Sequence, residues 1–409
     1  MMKRSSLALV LALIFLEWLD FSLYLYLAKS VFADDFFPPS SYSLMLSFAL
    51  FAAAYFARPV GGWFFGRKAD LSGRRNPMVF SAALMGFATL GICLLPTYAQ
   101  IGLLAPWGLL GLRIAQGLAL GGEINTSAMF LVEHHPKRPL MAGSLVAASG
   151  ALGMFFGASL ATLLQYLNIL WAWRLIFAVV AMVSLGVCRL RKRLRESPEF
   201  QKENRSIRTI WRAHWRGLLN IAILGAFVSV MVYICNVFWV SFAIDKQLWT
   251  KTQCAWLGSL AQLLSALFAI PIAYFSQPSQ VYRLMQASMV VISLAAPCLF
   301  FFTTVYLSQA VLLSVLGYAL GNALACSVLY YLLYLQLPAQ YRCQGVSTVW
   351  ALAASLGAVS LPLAEQAVKL GANWLPGVLV STVAILSLLF FRSKQRSSKN
   401  SLTVEAITN

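Results

Sequence analysis

The chain alternates between long apolar runs and short polar breaks. A helix rises 1.5 Å per residue, so about 20 apolar residues are needed to cross the hydrocarbon of a bilayer. Runs of that kind occur at 6–28, 42–66, 77–95, 102–131, 140–165 and 170–190. They recur at 217–243, 253–275, 283–305, 308–335, 345–368 and 373–391. The pattern predicts twelve membrane-spanning helices, with both termini on one side. One connection is longer than the rest: RKRLRESPEFQKENRSIRTIWRAHWR, residues 191–216, separates six spans from six. Within it Ile207, Ile210, Trp211 and Trp215 stand at helical spacing among cations, as in a helix resting on an anionic membrane surface. The expected organisation is an N-terminal six-helix bundle (1–190), a cytoplasmic linker with an amphipathic helix (191–216), a C-terminal six-helix bundle (217–392) and a disordered tail (393–409).

Composition agrees with this class. Hydrophobic residues make up 60% of the 409 positions, charged residues 11%, and a soluble domain has no interior for so much apolar surface. The net charge of +18 would suggest nucleic acid in a soluble chain. Here its distribution assigns topology instead. With the N-terminus inside, the outer loops hold only Lys29, Lys246, Lys251 and Lys369. Arg58, Arg113 and Arg174 lie in or at the ends of spans, and the remaining cations all face the cytoplasm. The partners expected are therefore the lipid bilayer, a small solute and protons, with no nucleic acid, and the chain is expected to be a monomer. The first run, with Lys3 and Arg4 ahead of it, is too long for a signal-peptide core and contains Glu17 and Asp20, so it is read as a retained span. The seven cysteines are scattered, the three histidines lie in polar loops, and neither a metal site nor a cofactor is implied.

Ionisable groups inside a membrane are expensive and mark function by default. On span 1, LEWLDFSLY places Glu17, Asp20 and Tyr24 on one helical face. On span 4, LRIAQGLALGGE places Arg113, Gln116, Leu120 and Glu123 in one stripe, with Gly117 and Gly121 beside it as a surface for close helix contact. Arg113 is the expected counter-ion for a span 1 carboxylate or for Glu123. The carboxylates are candidates for loading and unloading a proton. The second half offers a neutral palette, Tyr233, Asn236, Gln262, Tyr318 and Asn322, expected to line a cavity that hydrogen-bonds without adding positive charge. That balance favours a zwitterionic or modestly charged solute over a multivalent anion.

The turn after span 2 reads ARPVGGWFFGRKADLSGRR. Its Gly66, Asp70, Gly73, Arg74 and Arg75 resemble the loop between helices 2 and 3 of the major facilitator superfamily. The EW-x-D-F of span 1, RPVGG, RIAQGLALGGE, WAWRLIF and LRESPEF are similar to the metabolite:proton symporter branch of that superfamily. So is LPAQYRCQG, which carries Pro338, Arg342 and Gly345. The resemblance implies an all-α transporter of two six-helix bundles in a bacterial inner membrane, with proton-driven uptake by alternating access. It implies a solute from a range that covers proline and betaine, dicarboxylates and tricarboxylates, 2-oxoglutarate and shikimate. An osmolyte such as proline or betaine, or a small carboxylate, is the one expected here. It also implies a cytoplasmic gate of Gly66, Asp70, Gly73, Arg74, Arg75 and Arg342, with Asp70 at the start of span 11 near Gly345 and Ser347. Three departures stand out: Leu71 replaces the usual arginine, the loop after span 4, EHHPKRPLMAG, lacks the usual R-R-G, and the matching turn after span 8, AYFSQPSQVYR, has lost the motif. An exporter is the alternative, but span 5, GSLVAASGALGMFFGAS, lacks the Gly-Pro pair usual in antiporters. A membrane sensor would predict a larger soluble domain, and no enzyme motif is present.

Overall fold

A computed structural model describes residues 4–38, 43–202 and 207–408. Its long helices are α1 (Arg4–Leu27), α2 (Ser43–Ser72), α3 (Arg75–Leu94), α4 (Leu104–His134), α5 (Pro139–Tyr166) and α6 (Trp173–Arg191). They continue as α7 (Ile207–Val232), α8 (Lys251–Phe275), α9 (Val281–Thr304), α10 (Ser308–Tyr334), α11 (Arg342–Lys369) and α12 (Leu375–Thr408). Among the described residues there are no strands, and ten helices are long and apolar enough to cross a membrane. The two long helices outside that ten, α2 and α4, pack along each other. Their contact explains the glycines: a Cβ on Gly117 or Gly121 would fall on the carbonyl oxygens of Ala54 and Arg58.

The packing carries the repeat that the loop motif has lost. In the first half α1 packs on α5, α2 on α4, and α3 on both α4 and α6. Six helices later the same pairs recur: α7 on α11, α8 on α10, and α9 on both α10 and α12. The halves meet through α2 on α11 and α5 on α8, which is again one contact seen twice. Corresponding helices even share a π-helical turn, at Ala28–Phe32 after α1 and at Tyr233–Phe238 after α7.

Three boundaries differ from the sequence pattern. Helix α6 runs through Arg191, because Phe177, Ala181, Ser184, Cys188 and Arg191 continue one buried face; Arg191 is not part of the linker. Helix α7 is bent at His214 (φ −124°, ψ 24°), with Trp211 and Trp215 exposed on either side of the bend. The Ile207 and Ile210 side chains of the expected amphipathic face lie outside the described ones. The last helix is continuous to Thr408 where a disordered tail was expected; neither glycine nor proline follows Gly377 to interrupt its hydrogen-bond ladder.

Candidate functional site

Three groups of side chains stand out, set by the packing of α1 with α3, α4 and α6 and of α2 with α4 and α11. The first is a pair of buried acid clusters around α1. Asp20 Oδ2 accepts from Gln116 Nε2 (2.6 Å) and Thr89 Oγ1 (3.1 Å), while Arg113 Nη1 donates to Gln116 Oε1 (2.7 Å). Arg113 therefore reaches Asp20 through the Gln116 amide, and its guanidinium stacks on Tyr24 (3.7 Å to the ring centroid). Arg113 is not the partner of Glu123. Glu123 pairs with Arg191, and Ser81 Oγ and Ser127 Oγ also donate to it. Arg191 is held in turn on Val10 O (3.0 Å). Helix α4 turns Leu120 toward the cavity described below, so the expected single stripe divides. Glu17 is 2% exposed, and neither carboxylate oxygen has a hydrogen-bond partner among the described residues.

The second group is a cavity of roughly 150 Å³ between the halves. Tyr233, Gln262 and Asn322 lie on its wall as expected. Asn236 and Tyr318 do not. Asn236 Nδ2 donates to Gly258 O (2.8 Å), and Tyr318 accepts from Gln262 Nε2 (3.3 Å), so they are spent on packing the π-helical turn after α7 on α8, and α10 on α8. The wall also contains Arg58 and Asn125, which sequence reasoning passed over. Arg58 had a signal, a lone cation in the apolar run FALFAAAYFARPVGG, but it was absorbed into the motif that follows it.

The third group is an ion network that ties the halves together at one end. The positive N-terminus of α11 meets Asp70, whose Oδ1 and Oδ2 accept from the N–H groups of Cys343 (3.2 Å) and Gln344 (2.8 Å). That contact lies immediately before Gly345, at the start of the helix as expected. Burial pushes the Asp70 carboxyl up to about 7, against the downward pull of Arg74 and of those two N–H groups. Gly66 permits the approach, since a Cβ there would lie 2.7 Å from Gln344 Cα. Arg74 donates to Asp70 Oδ1 (3.1 Å), to Glu133 (3.3 and 3.4 Å) and to Ala339 O (2.6 Å). Arg342 donates to Glu133 Oε1 (2.8 Å) and Glu199 Oε2 (2.9 Å), and Tyr334 donates to Glu199 Oε1 (2.8 Å). Burial would lower Arg74, but Cys343, Glu133 and Asp70 raise it above the ordinary arginine value.

Arg75 stays outside this network. Its side chain reaches Asn76 and Leu194 O (3.4 Å). Gly73 takes φ 95°, which the turn requires, and packs against the Glu196 carboxylate. Glu196 accepts from the N–H groups of Arg74 (2.7 Å) and Arg75 (3.2 Å) at the start of α3. Glu133, Glu196 and Glu199 are the residues missed from sequence. The signal was available, since the stretch read as a basic linker places Glu196 and Glu199 either side of Ser197 and Pro198.

The sequence matches the Major Facilitator Superfamily over residues 10–362. It is 34% identical over 220 residues to the alpha-ketoglutarate permease of Escherichia coli (strain K12), covering 48% of each chain. It is 29% identical over 282 residues to the proline/betaine transporter of Salmonella typhimurium, covering 63% of this chain and 56% of that one. The chain spans about half the length of the curated relatives it matches. Its fold is that of the proton:xylose symporter XylE of E. coli, with a TM-score of 0.72 and 18% identity over 95% of both chains. With membrane-spanning helices, paired halves and a cavity between them, the chain belongs to the Major Facilitator Superfamily, a family of multi-pass membrane transporters and not of enzymes.

Proposed function

We propose that the protein is a proton-coupled importer of a small polar metabolite, working by alternating access as a monomer in a bacterial inner membrane. In this reading it has twelve spans, and both termini and the Asp70 network face the cytoplasm. The observation that carries it is the position of the cavity relative to the network. Both lie between the halves, with the cavity at mid-helix. Arg58 and Asp70 are separated along α2 by about 18 Å of helix rise. A solute in the cavity reaches the network side only when Asp70 leaves the start of α11 and Arg342 leaves Glu133.

Coupling rests on the acids beside the cavity. A proton carrier must change its protonation as the protein changes face, and a carboxyl group without a fixed partner does so without first breaking an ion pair. Glu17 meets that condition. Asp20, held by neutral donors from Gln116 and Thr89, is the second candidate, and Glu123, paired with Arg191, is the third. The names of the relatives, an alpha-ketoglutarate permease and a proline/betaine transporter, support a small organic metabolite as the cargo.

The test is uptake into proteoliposomes of labelled proline, glycine betaine, shikimate and 2-oxoglutarate, with and without an inward proton gradient. Accumulation above equilibrium only with the gradient is the expected result. Accumulation indifferent to the gradient overturns proton coupling, and efflux in exchange for protons would make the protein an exporter.

A further inference from the structure

We propose that Arg58 anchors the solute by a single carboxylate, so that the cavity accepts small monocarboxylates, zwitterions included, and rejects di- and tricarboxylates. This rests on the transport reading above and specifies its substrate. Arg58 is 7% exposed and lies on the cavity wall. Its guanidinium is held by rings: the carbon is 3.7 Å from the Tyr55 centroid, 4.6 Å from Phe21 and 5.9 Å from Trp18. Stacking fixes the plane of the group, and the Tyr55 side chain also engages it, without using Nε or Nη2. Nε and Nη2 are both buried with no hydrogen-bond partner among the described residues. Idle donors on a buried cation are costly, and a planar carboxylate that takes both N–H bonds removes that cost.

Charge counting sets the valence of the guest. Among the described residues lining the cavity, Arg58 is the only ionic side chain. The other charged groups near it stand behind the wall: Glu17 and Asp20 on α1, Arg113 and Glu123 on α4, and Arg191 on α6. Asp20 is engaged by Gln116 and Thr89, and Glu123 by Arg191. Arg113 is a like charge and Glu17 an opposite one acting on Arg58 from that layer. One guest carboxylate is therefore matched, while a second would be buried among Val228, Tyr233, Trp350 and Ala354 with no cation to meet it. Those aromatic faces suit an apolar or cationic remainder. Asn125, 3% exposed with an unpartnered Oδ1 on the same wall, offers an acceptor for an ammonium or hydroxyl.

The experiment measures binding to the full chain in lipid nanodiscs by equilibrium dialysis. The probes are proline, glycine betaine and shikimate, their carboxamides, 2-oxoglutarate, citrate and xylose. Wild type should bind at least one monocarboxylate, and about 30-fold or more tightly than its carboxamide. Arg58→Gln should erase that preference, a change in the ratio of the two affinities that loss of packing alone would not give. Arg58→Lys should keep the preference with affinity about tenfold weaker, since it retains charge and loses the fork. Asn125→Asp, which leaves Arg58 in place and adds a competing anion to the wall, should shrink the ratio of carboxylate to carboxamide affinity by a similar factor. It decides the matter if Arg58→Gln does not fold. A preference that survives Arg58→Gln or Asn125→Asp overturns the proposal, as does a panel answered only by xylose or the multivalent acids, or by none. Binding that follows Arg58 without uptake in proteoliposomes would sink the transport reading and leave the anchor standing; uptake indifferent to Arg58 would do the reverse.

Discussion

Glu133→Gln should unlock the network that joins the halves. Glu133 is fully buried and accepts from Arg74 (3.3 and 3.4 Å), Arg342 (2.8 Å) and Ser197 Oγ. Glutamine keeps the shape but removes the charge facing two guanidinium groups that are themselves 0% and 7% exposed. Removing one partner of a buried ion pair costs about 3–5 kcal/mol. Here each arginine retains a second carboxylate, Asp70 for Arg74 and Glu199 for Arg342, so about 2–3 kcal/mol is the reasoned loss. The loss falls on the closed arrangement only, because in an open one these groups are hydrated. The open fraction should therefore rise by about 30- to 150-fold. Cys343 is a native reporter: its side chain is buried and its N–H bonds Asp70 at the point where the halves part. In a variant whose only cysteine is Cys343, the rate of thiol labelling in detergent follows the open population. A Glu133→Gln rate within twofold of the parent would refute the assignment of these bonds as the lock.

Three further outcomes are expected. Closure over Asp70 raises its carboxyl to about 7, and exposure returns it to the ordinary carboxylate range. Closure thus takes up a proton; its advantage is complete below about 4 and is lost as pH rises through about 7. Cys343 labelling, normalised to denatured protein at each pH, should quicken as pH rises from about 5 to about 7 and level off above it, and Asp70→Asn should remove that slope and impair transport. The same slope in both proteins would count against it. Neutralising the proton site, tested in Glu17→Gln, Asp20→Asn and Glu123→Gln, should abolish accumulation under a pH step yet leave counterflow, with Glu17 ranked first by its lack of partners; accumulation in all three ends the idea. Gly121→Val should lower the thermal midpoint, because the added carbons fall on the Arg58 carbonyl. Gly111→Ala, where a Cβ meets nothing within 4 Å, should not, and equal midpoints would deny the close α2–α4 contact.

What the sequence made legible was whatever depends on local pattern. Apolar runs located the long helices, and Gly117 and Gly121 marked a close contact before their neighbour α2 was known. The Asp70 turn pointed to α11 within one helical turn. What stayed hidden depends on rotation and partner choice. Arg191 looked like the first residue of a linker because a polar run follows it, yet the 3–4 spacing from Phe177 through Ser184 and Cys188 already turned it inward. Of the two partners expected for Arg113, a span 1 carboxylate or Glu123, the helical stripe could not choose, because it gives direction but not reach. The Gln116 amide lies between Arg113 and Asp20, and Arg191 arrives at Glu123 from another helix. The repeat was invisible in the degenerate AYFSQPSQVYR turn because helix pairing is set by packed faces spread over whole spans, while a loop motif is a handful of residues free to drift.

The arrangement of charges around α1 gives the proposed coupling a physical form. Asp20 is held by Gln116 and Thr89, and Glu123 is neutralised by Arg191, so each has a local partner that does not depend on the solute. Glu17 has no hydrogen-bond partner among the described residues; two cations act on it, Arg191, already paired with Glu123, and Arg58 from the cavity side. On the proposed reading Arg58 has two claimants, the Glu17 carboxylate behind the wall and the solute carboxylate in front of it. A proton on Glu17 removes the first claim and strengthens the second, and a bound solute makes ionised Glu17 harder to keep. Linkage of this kind is reciprocal, so proton and solute each raise the other's affinity by the same factor. Symport then needs no contact between the two ligands. It needs one buried arginine, stacked so that it cannot follow either claimant away, and an acid that no hydrogen bond holds.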